Sequence, residues 1–245
     1  MNKKDVSIVI PIHNEEKLLL RTVSDLIKEL NKNDITFELI LVENGSTDRS
    51  PQIVKDLAQK FNNIKAFFLP LPSYGKAILK GYLSSKKEIV ANFSIDWVEM
   101  SFLKKALRLL KTYDLVIASK NIPSSSDHRP KIRRLGGIIY HKLVRLLFFL
   151  PIADTHGIKA FNRKKLISII KKCRGYSETF DTELVIRVNR EGLKIKELPI
   201  SVEEKRPTRV RIVLRGLKGL LQLIYLRILL HRTRVNKVSY YANKK

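Results

Sequence analysis

Cysteine is almost missing from this chain: Cys173 stands alone among 245 residues, which excludes an internal disulfide and a cysteine metal cage and fits a reducing cytoplasm. Acidic residues are scarce as well. Against 48 Lys and Arg there are 23 Asp and Glu, a formal charge of +25 that solubility does not require. Such a balance points to polyanionic company: nucleic acid, an anionic membrane surface or phosphorylated substrates. Long apolar runs are also lacking. The opening MNKKDVSIVIPIHNEE has a basic start but a short apolar run broken by Pro11, so it is not expected to act as a signal peptide. Spanning a bilayer takes about 20 apolar residues, and each central Arg or Lys costs roughly 2.5 to 3.5 kcal/mol. The apolar stretch near the C-terminus contains Arg215, Lys218 and Arg227, so it is expected to lie on a membrane rather than cross one. There is no internal repeat and no low-complexity linker.

What is present is a substantial apolar fraction, 44%, enough for one domain with a sizeable core and too much for disorder. Val6 to Ile12 reads as a strand, and Leu19, Val23, Leu26 and Leu30 then recur at helical spacing. The alternation continues. FELILVE (37–43) precedes a helix from near Asp48, IKAFFLP (64–70) one over 75–85, and EIVANFSI (88–95) one over 102–112, with DLVIAS (114–119) as the next strand. Near-continuous apolar strands alternating with helices predict a mostly parallel sheet covered on both faces, with ligands beyond the carboxyl ends of the strands. PIHNEE, ENGSTD, Asp96 and the Ser119-Lys120 pair all fall there. After a loop, NIPSSSDHRP, residues 131–150 mix basic and long apolar side chains. GIKAFNR reads as a strand, 181–190 as a helix and LKIKELPISV as a strand. The last 41 positions, 205–245, hold twelve Lys or Arg and no acid.

ENGSTD (43–48) has the turn glycine Gly45 and the capping candidates Ser46, Thr47 and Asp48, so by itself it is a strand-to-helix turn. With PIHNEE before it and PSYGKAILKGY (72–82) after it, the set becomes specific. It resembles the family 2 nucleotide-sugar glycosyltransferases. DTHGIKAFNRKKL (154–166), FDTEL (180–184) and EGLKIKELPISVEEKRPTR (191–209) look like the later segments of dolichyl-phosphate mannose synthase and its polyprenyl-phosphate relatives. The resemblance implies an α/β GT-A (Rossmann-like) fold over 1–205, with a basic amphipathic membrane-associating segment over 206–245.

On that resemblance Pro11, Asn14 and Glu15 border the nucleotide. Glu43, with Gly45 and Ser46, takes the place of the acid that meets base or ribose, and Gly75 and Lys76 lie by the phosphates. A D-x-D element at the end of the fourth strand holds a divalent cation, Mg2+ or Mn2+, against the donor pyrophosphate. Here SIDWV keeps Asp96 but has Ser94 at the first acid and Val98 at a further polar position. Two readings follow: a metal held by Asp96 with Glu99, or basic side chains managing the diphosphate. A lost site and a non-catalytic binder is the bland alternative. On the acceptor side Lys120, Arg129, Arg133, Arg134 and Lys205 or Arg206 are expected to grip a lipid phosphate, although Gly137 replaces the serine of an R-x-x-x-S pattern.

An ionised phosphate acceptor attacks without losing a proton to the enzyme, whereas a sugar hydroxyl needs a general base, for which Asp181 and Glu183 are candidates. Either can equally position the acceptor or pair with Arg187 one turn on. His13, His156, Trp97 and Cys173 read as structural. The expectation is an inverting glycosyltransferase at the cytoplasmic membrane face, moving a sugar from a nucleoside diphosphate sugar to a polyprenyl phosphate. Its rivals are a glycan-hydroxyl acceptor and a non-catalytic nucleotide-sugar or lipid binder. Nucleic acid is the weaker reading of the charge, because no binding module accompanies it. Oligomeric state is not legible.

Overall fold

In the computed structural model, residues 4–175, 179–202 and 219–230 are described. β1 (Lys4–Ile12) begins the alternation, and α1 (Glu16–Lys32) follows with Leu19, Val23, Leu26 and Leu30 buried, the four positions that share one helical stripe. β2 (Ile35–Asn44) is buried at eight successive positions from Phe37 onward, as a strand covered on both faces must be. α2 (Ser50–Lys60), β3 (Ile64–Leu69), α3 (Tyr74–Ser84), β4 (Ile89–Asn92), α4 (Met100–Leu109) and β5 (Leu115–Ser119) complete the first half.

The second half consists of β6 (Ser126–Asp127), α5 (Lys131–Phe148), β7 (Lys159–Asn162), α6 (Arg163–Ile170), α7 (Phe180–Arg190), β8 (Ile195–Pro199), β9 (Ser201–Val202) and a helix, α8, over 219–230. Seven strands form the main sheet in the order β3-β2-β1-β4-β7-β5-β8, and β6 pairs with β9 apart from it. All main-sheet pairs are parallel except those of β7, which runs antiparallel between β4 and β5.

Two apolar clusters lie on the two faces. Ile8, Ile10 and Ile12 of β1 pack with α1, α2 and α4, while Val9 packs with α3, α5, α6 and α7. Leu223, Leu226 and Leu230 of α8 join that second cluster, so this part of the basic tail docks on the core. The strand order reverses at β1, whose neighbours are β2 and β4, and an open α/β sheet places its ligand crevice at such a reversal. β4 ends at Asn92, earlier than the apolar run suggests, because the backbone turns tightly: Trp97 N donates to Ser94 O at 3.0 Å. Asp96 sits in that turn, half-buried, just beyond the reversal.

Candidate active site

Three loops at the carboxyl edge are tied into one rim. Asn14 adopts a left-handed φ of 56°, which asparagine tolerates better than most residues. Its backbone N donates to Ser46 Oγ at 3.0 Å, and its Oδ1 accepts from Thr47 N at 2.8 Å. Glu15 N donates to Ser50 Oγ at 2.8 Å. Gly45 has φ +65°, and a Cβ there would lie 2.8 Å from Pro72, so both backbone and space require glycine. Asn44 Oδ1 accepts from Ser73 N at 2.7 Å, and Ser73 caps α3, whose first turn carries buried Gly75 and exposed Lys76. His13 Nδ1 lies 2.9 Å from Asn44 O, in keeping with a structural role.

This arrangement assigns local work to several expected nucleotide residues. Glu43 is buried, and its Oε1 accepts from Ser46 N at 2.6 Å, so that oxygen closes the turn. The side-chain oxygen of Asn14 is likewise occupied by Thr47. Pro11 is half-buried at the end of β1. Glu99 is the N-cap of α4, with Oε1 accepting from Ser101 N at 3.3 Å.

On the other side of the reversal the expected phosphate-binding cations are engaged with carboxylates. Lys120 Nζ lies 2.9 Å from Asp154 Oδ2. Arg129 makes a fork with Asp127, with Nε to Oδ1 at 2.8 Å and Nη2 to Oδ2 at 2.7 Å. Arg133 and Arg134 stand in the first turn of α5, half-buried and exposed respectively. Lys205 and Arg206 lie outside the described residues. Burial alone would raise the Asp154 carboxyl, but the Lys120 ammonium, helped by His141, holds it well below the usual carboxylate range.

The candidate bases are both buried and paired. Asp181 Oδ1 pairs with the fully buried Lys159 at 2.8 Å, and its Oδ2 accepts from Tyr74 OH at 2.8 Å. Glu183 Oε1 accepts from Arg187 Nε at 2.7 Å, while Oε2 accepts from Arg174 N at 2.8 Å and Gly175 N at 2.6 Å. The Arg187 pairing is the one-turn salt bridge that the sequence spacing allows; all four carboxylate oxygens are used.

Sequence reasoning missed Lys159, Tyr74 and His141. Lys159 lay in a quoted segment, yet nothing local marks a lysine whose partner is 22 residues on. His141 Nε2 lies 3.2 Å from Asp154 Oδ1, and His156 N donates to the same oxygen at 2.9 Å. Burial pushes the His156 imidazole down to about 4, so the ring is neutral at neutral pH.

The family model described as Glycosyl transferase family 2 matches residues 7–170 of this chain. The chain belongs to glycosyl transferase family 2. Among relatives, Glycosyltransferase AglD of Haloferax volcanii is 26% identical over 85% of this chain, which spans 35% of that protein. Dolichyl-phosphate beta-glucosyltransferase ALG5D of Trichomonas vaginalis is 27% identical over 84% of this chain and 68% of its own length. The dolichyl-phosphate beta-glucosyltransferase of Saccharomyces cerevisiae is 25% identical over 91% of this chain and 74% of its own. Glucosyl-3-phosphoglycerate synthase from Mycobacterium tuberculosis, crystallised with Mn2+, UDP and glucosyl-3-phosphoglycerate, superposes with a TM-score of 0.66 at 20% identity, over 89% of this chain and 79% of that one. That likeness shows the fold, and the GT-A reading of this family 2 chain stands.

Proposed function

We propose that this family 2 glycosyltransferase chain moves one sugar, with inversion, from a nucleoside diphosphate sugar to a polyprenyl phosphate at the cytoplasmic face of a membrane. The observation that carries the reading is α5. It follows the loop that leaves β5 at Lys120, and it bares Ile132, Leu135, Ile138, Ile139 and Leu146, ending at Phe149. A lipid acceptor needs apolar surface beside the site; a water-soluble glycan does not. An ionised phosphate nucleophile needs no base, so in this reading Asp181 and Glu183 serve through their pairings with Lys159, Tyr74 and Arg187. The relatives named as dolichyl-phosphate glucosyltransferases, matched over 84% and 91% of this chain, add weight.

In this reading the rim of Asn14, Glu43, Ser46 and the first turn of α3 receives the nucleotide, with Lys76 by the phosphates. Arg133, Arg134, Lys205 and Arg206 meet the acceptor phosphate, Arg129 joins them by exchanging a carboxylate for it, and Lys120 reaches it with a second N–H donor while still paired with Asp154. Asp96 is the one carboxylate that SIDWV offers a cation, since Glu99 caps α4. Mg2+ keeps several waters and takes one or two carboxylates plus phosphate oxygens, so Asp96 fits Mg2+ or Mn2+ held jointly with the donor. Such an ion would neutralise the departing diphosphate. No described helix is long and apolar enough to cross a membrane. The exposed face of α8, with Leu221, Ile224, Tyr225 and Ile228, and the basic 206–245 segment fit attachment to an anionic surface.

The test is to incubate the chain and membranes with labelled nucleotide sugars, with and without Mg2+ or Mn2+. Label is expected in a lipid fraction, with a loss of 100-fold or more for Asp96→Ala. Label reaching a water-soluble glycan instead, or turnover indifferent to Asp96→Ala, would remove the reading.

A further inference from the structure

Among the described residues, the side chains of His141, Asp154 and His156 form the group with metal-ligand character, and their ligand atoms all lie within 4.8 Å of one another. α5 supplies His141, and the loop entering β7 supplies the other two. We propose that these three side chains form a divalent transition-metal site separate from the hard-cation position at Asp96. The inference rests on geometry and donor chemistry, not on the sugar-transfer reading.

Two donors bound at about 2.0 to 2.1 Å to one tetrahedral ion are about 3.3 Å apart. His141 Nε2 and Asp154 Oδ1 are separated by 3.2 Å, so the pair already spans one edge of such a shell. The two imidazole rings meet edge to face with centroids 5.7 Å apart. Lys120 holds the other carboxylate oxygen, Oδ2, which turns Oδ1 toward the two imidazoles as the ligand. The loop that carries Asp154 and His156 is anchored. Glu197 accepts from Ala153 N and Asp154 N, both at 3.0 Å, and Thr155 Oγ1 lies 2.8 Å from Thr182 Oγ1 on α7. Held this way, the 153–156 loop presents its donors without first having to be ordered.

His141 is buried, and its Nδ1 has no hydrogen-bond partner. Ligation at Nε2 places the ring proton on Nδ1, so edge-to-face packing against Tyr140 and His156, rather than an outer hydrogen bond, would hold the His141 ring. Two imidazoles and one carboxylate are a donor set for Zn2+, Co2+, Ni2+ or Fe2+, whereas Mg2+ prefers oxygen. Three protein ligands leave at least one position for water or an anionic oxygen.

The probe is Co2+ alone, titrated into the purified full chain without nucleotide sugar. Saturable visible absorption bands are expected, displaced by Zn2+ and untouched by excess Mg2+. His156→Gln and His141→Gln should each weaken binding tenfold or more, and Asp96→Asn should leave it unchanged. Circular dichroism checks that each variant folds. His156 is only half-buried, so its variant keeps the test alive if the His141 variant does not fold, as does a rise in the wild-type melting temperature with Zn2+ that Asp96→Asn retains. No saturable Co2+ signal would overturn the proposal. So would a signal that survives His156→Gln, or one abolished by Asp96→Asn.

Discussion

A lysine with no surface in water has to be matched by a charge, and Lys159 is matched by Asp181 at 2.8 Å and by the Gly157 carbonyl, also at 2.8 Å. Tyr74 OH, at the start of α3, donates to the second oxygen of Asp181, so the pair joins the donor-side helix to α7. Removing one partner of a buried pair strands the other. Lys159→Met is therefore expected to destabilise the fold by about 3 to 5 kcal/mol in urea unfolding, and the double variant Lys159→Met, Asp181→Leu by less than the sum of the two single changes. Glu38 offers a pH-dependent case. Burial would raise its carboxyl, but Lys65, the Ser7 hydroxyl at 2.6 Å and the Lys86 N–H at 2.7 Å outweigh that and lower it. A depressed carboxylate adds stability that is fully present above its unfolded value, 4.5, and is lost as pH falls through the folded one. Melting curves from pH 6 downward should show a steeper acid loss in the wild type than in Glu38→Gln, which starts about 1 to 3 kcal/mol lower at pH 7.

At the level of elements, close approach sets which glycines matter. A Cβ on Gly157 would sit 1.7 Å from the Ala118 carbonyl oxygen, so the loop into β7 can only pass β5 without a side chain. Gly136 lies within α5 with nothing within 4 Å of a Cβ. Gly157→Ala should lower stability by about 1 to 3 kcal/mol or more, while Gly136→Ala should raise it by about 0.5 to 1 kcal/mol, both measurable as shifts in thermal midpoint. The same contrast explains how far these elements were legible in advance. The stripe Leu19, Val23, Leu26, Leu30 and the solid apolar run of β2 are local patterns, and local patterns are visible in one sequence. The antiparallel insertion of β7 between β4 and β5 is a long-range pairing, and GIKAFNR reads the same in either direction. The rim residues Asn14, Gly45 and Ser46 were placed by motif, although their bonds go largely to one another. The pairing of Lys120 and of His141 with Asp154 depends on how α5 returns to the sheet, and no periodicity records that.

For the whole molecule, a charge of +25 and the exposed apolar faces of two helices belong to one argument. α8 spends Leu223, Leu226 and Leu230 on the core and leaves Leu221, Ile224, Tyr225 and Ile228 outside. Its first residue, Gly219, approaches the ring of Tyr140 on α5, so the two partly bare helices meet. Neither face alone holds a protein on a bilayer. Together with the basic tail they combine two weak attractions, one from apolar burial at about 25 cal/mol per Å2 and one of about 1 kcal/mol for each Lys or Arg near an anionic leaflet. The two respond differently to conditions, because salt screens the charge interaction over about 8 to 10 Å and leaves apolar burial in place. Sedimentation with vesicles containing anionic lipid should thus be strong at low salt and should fall about tenfold or more by 0.5 M NaCl, with little binding to neutral vesicles at any salt. Leu135→Glu combined with Ile139→Glu, two changes at exposed positions of α5, should weaken binding to anionic vesicles at low salt by a further factor of about ten without altering the melting temperature. Binding indifferent to both salt and these substitutions would mean that the exposed faces of α5 and α8 serve a protein partner or a second copy of the chain instead.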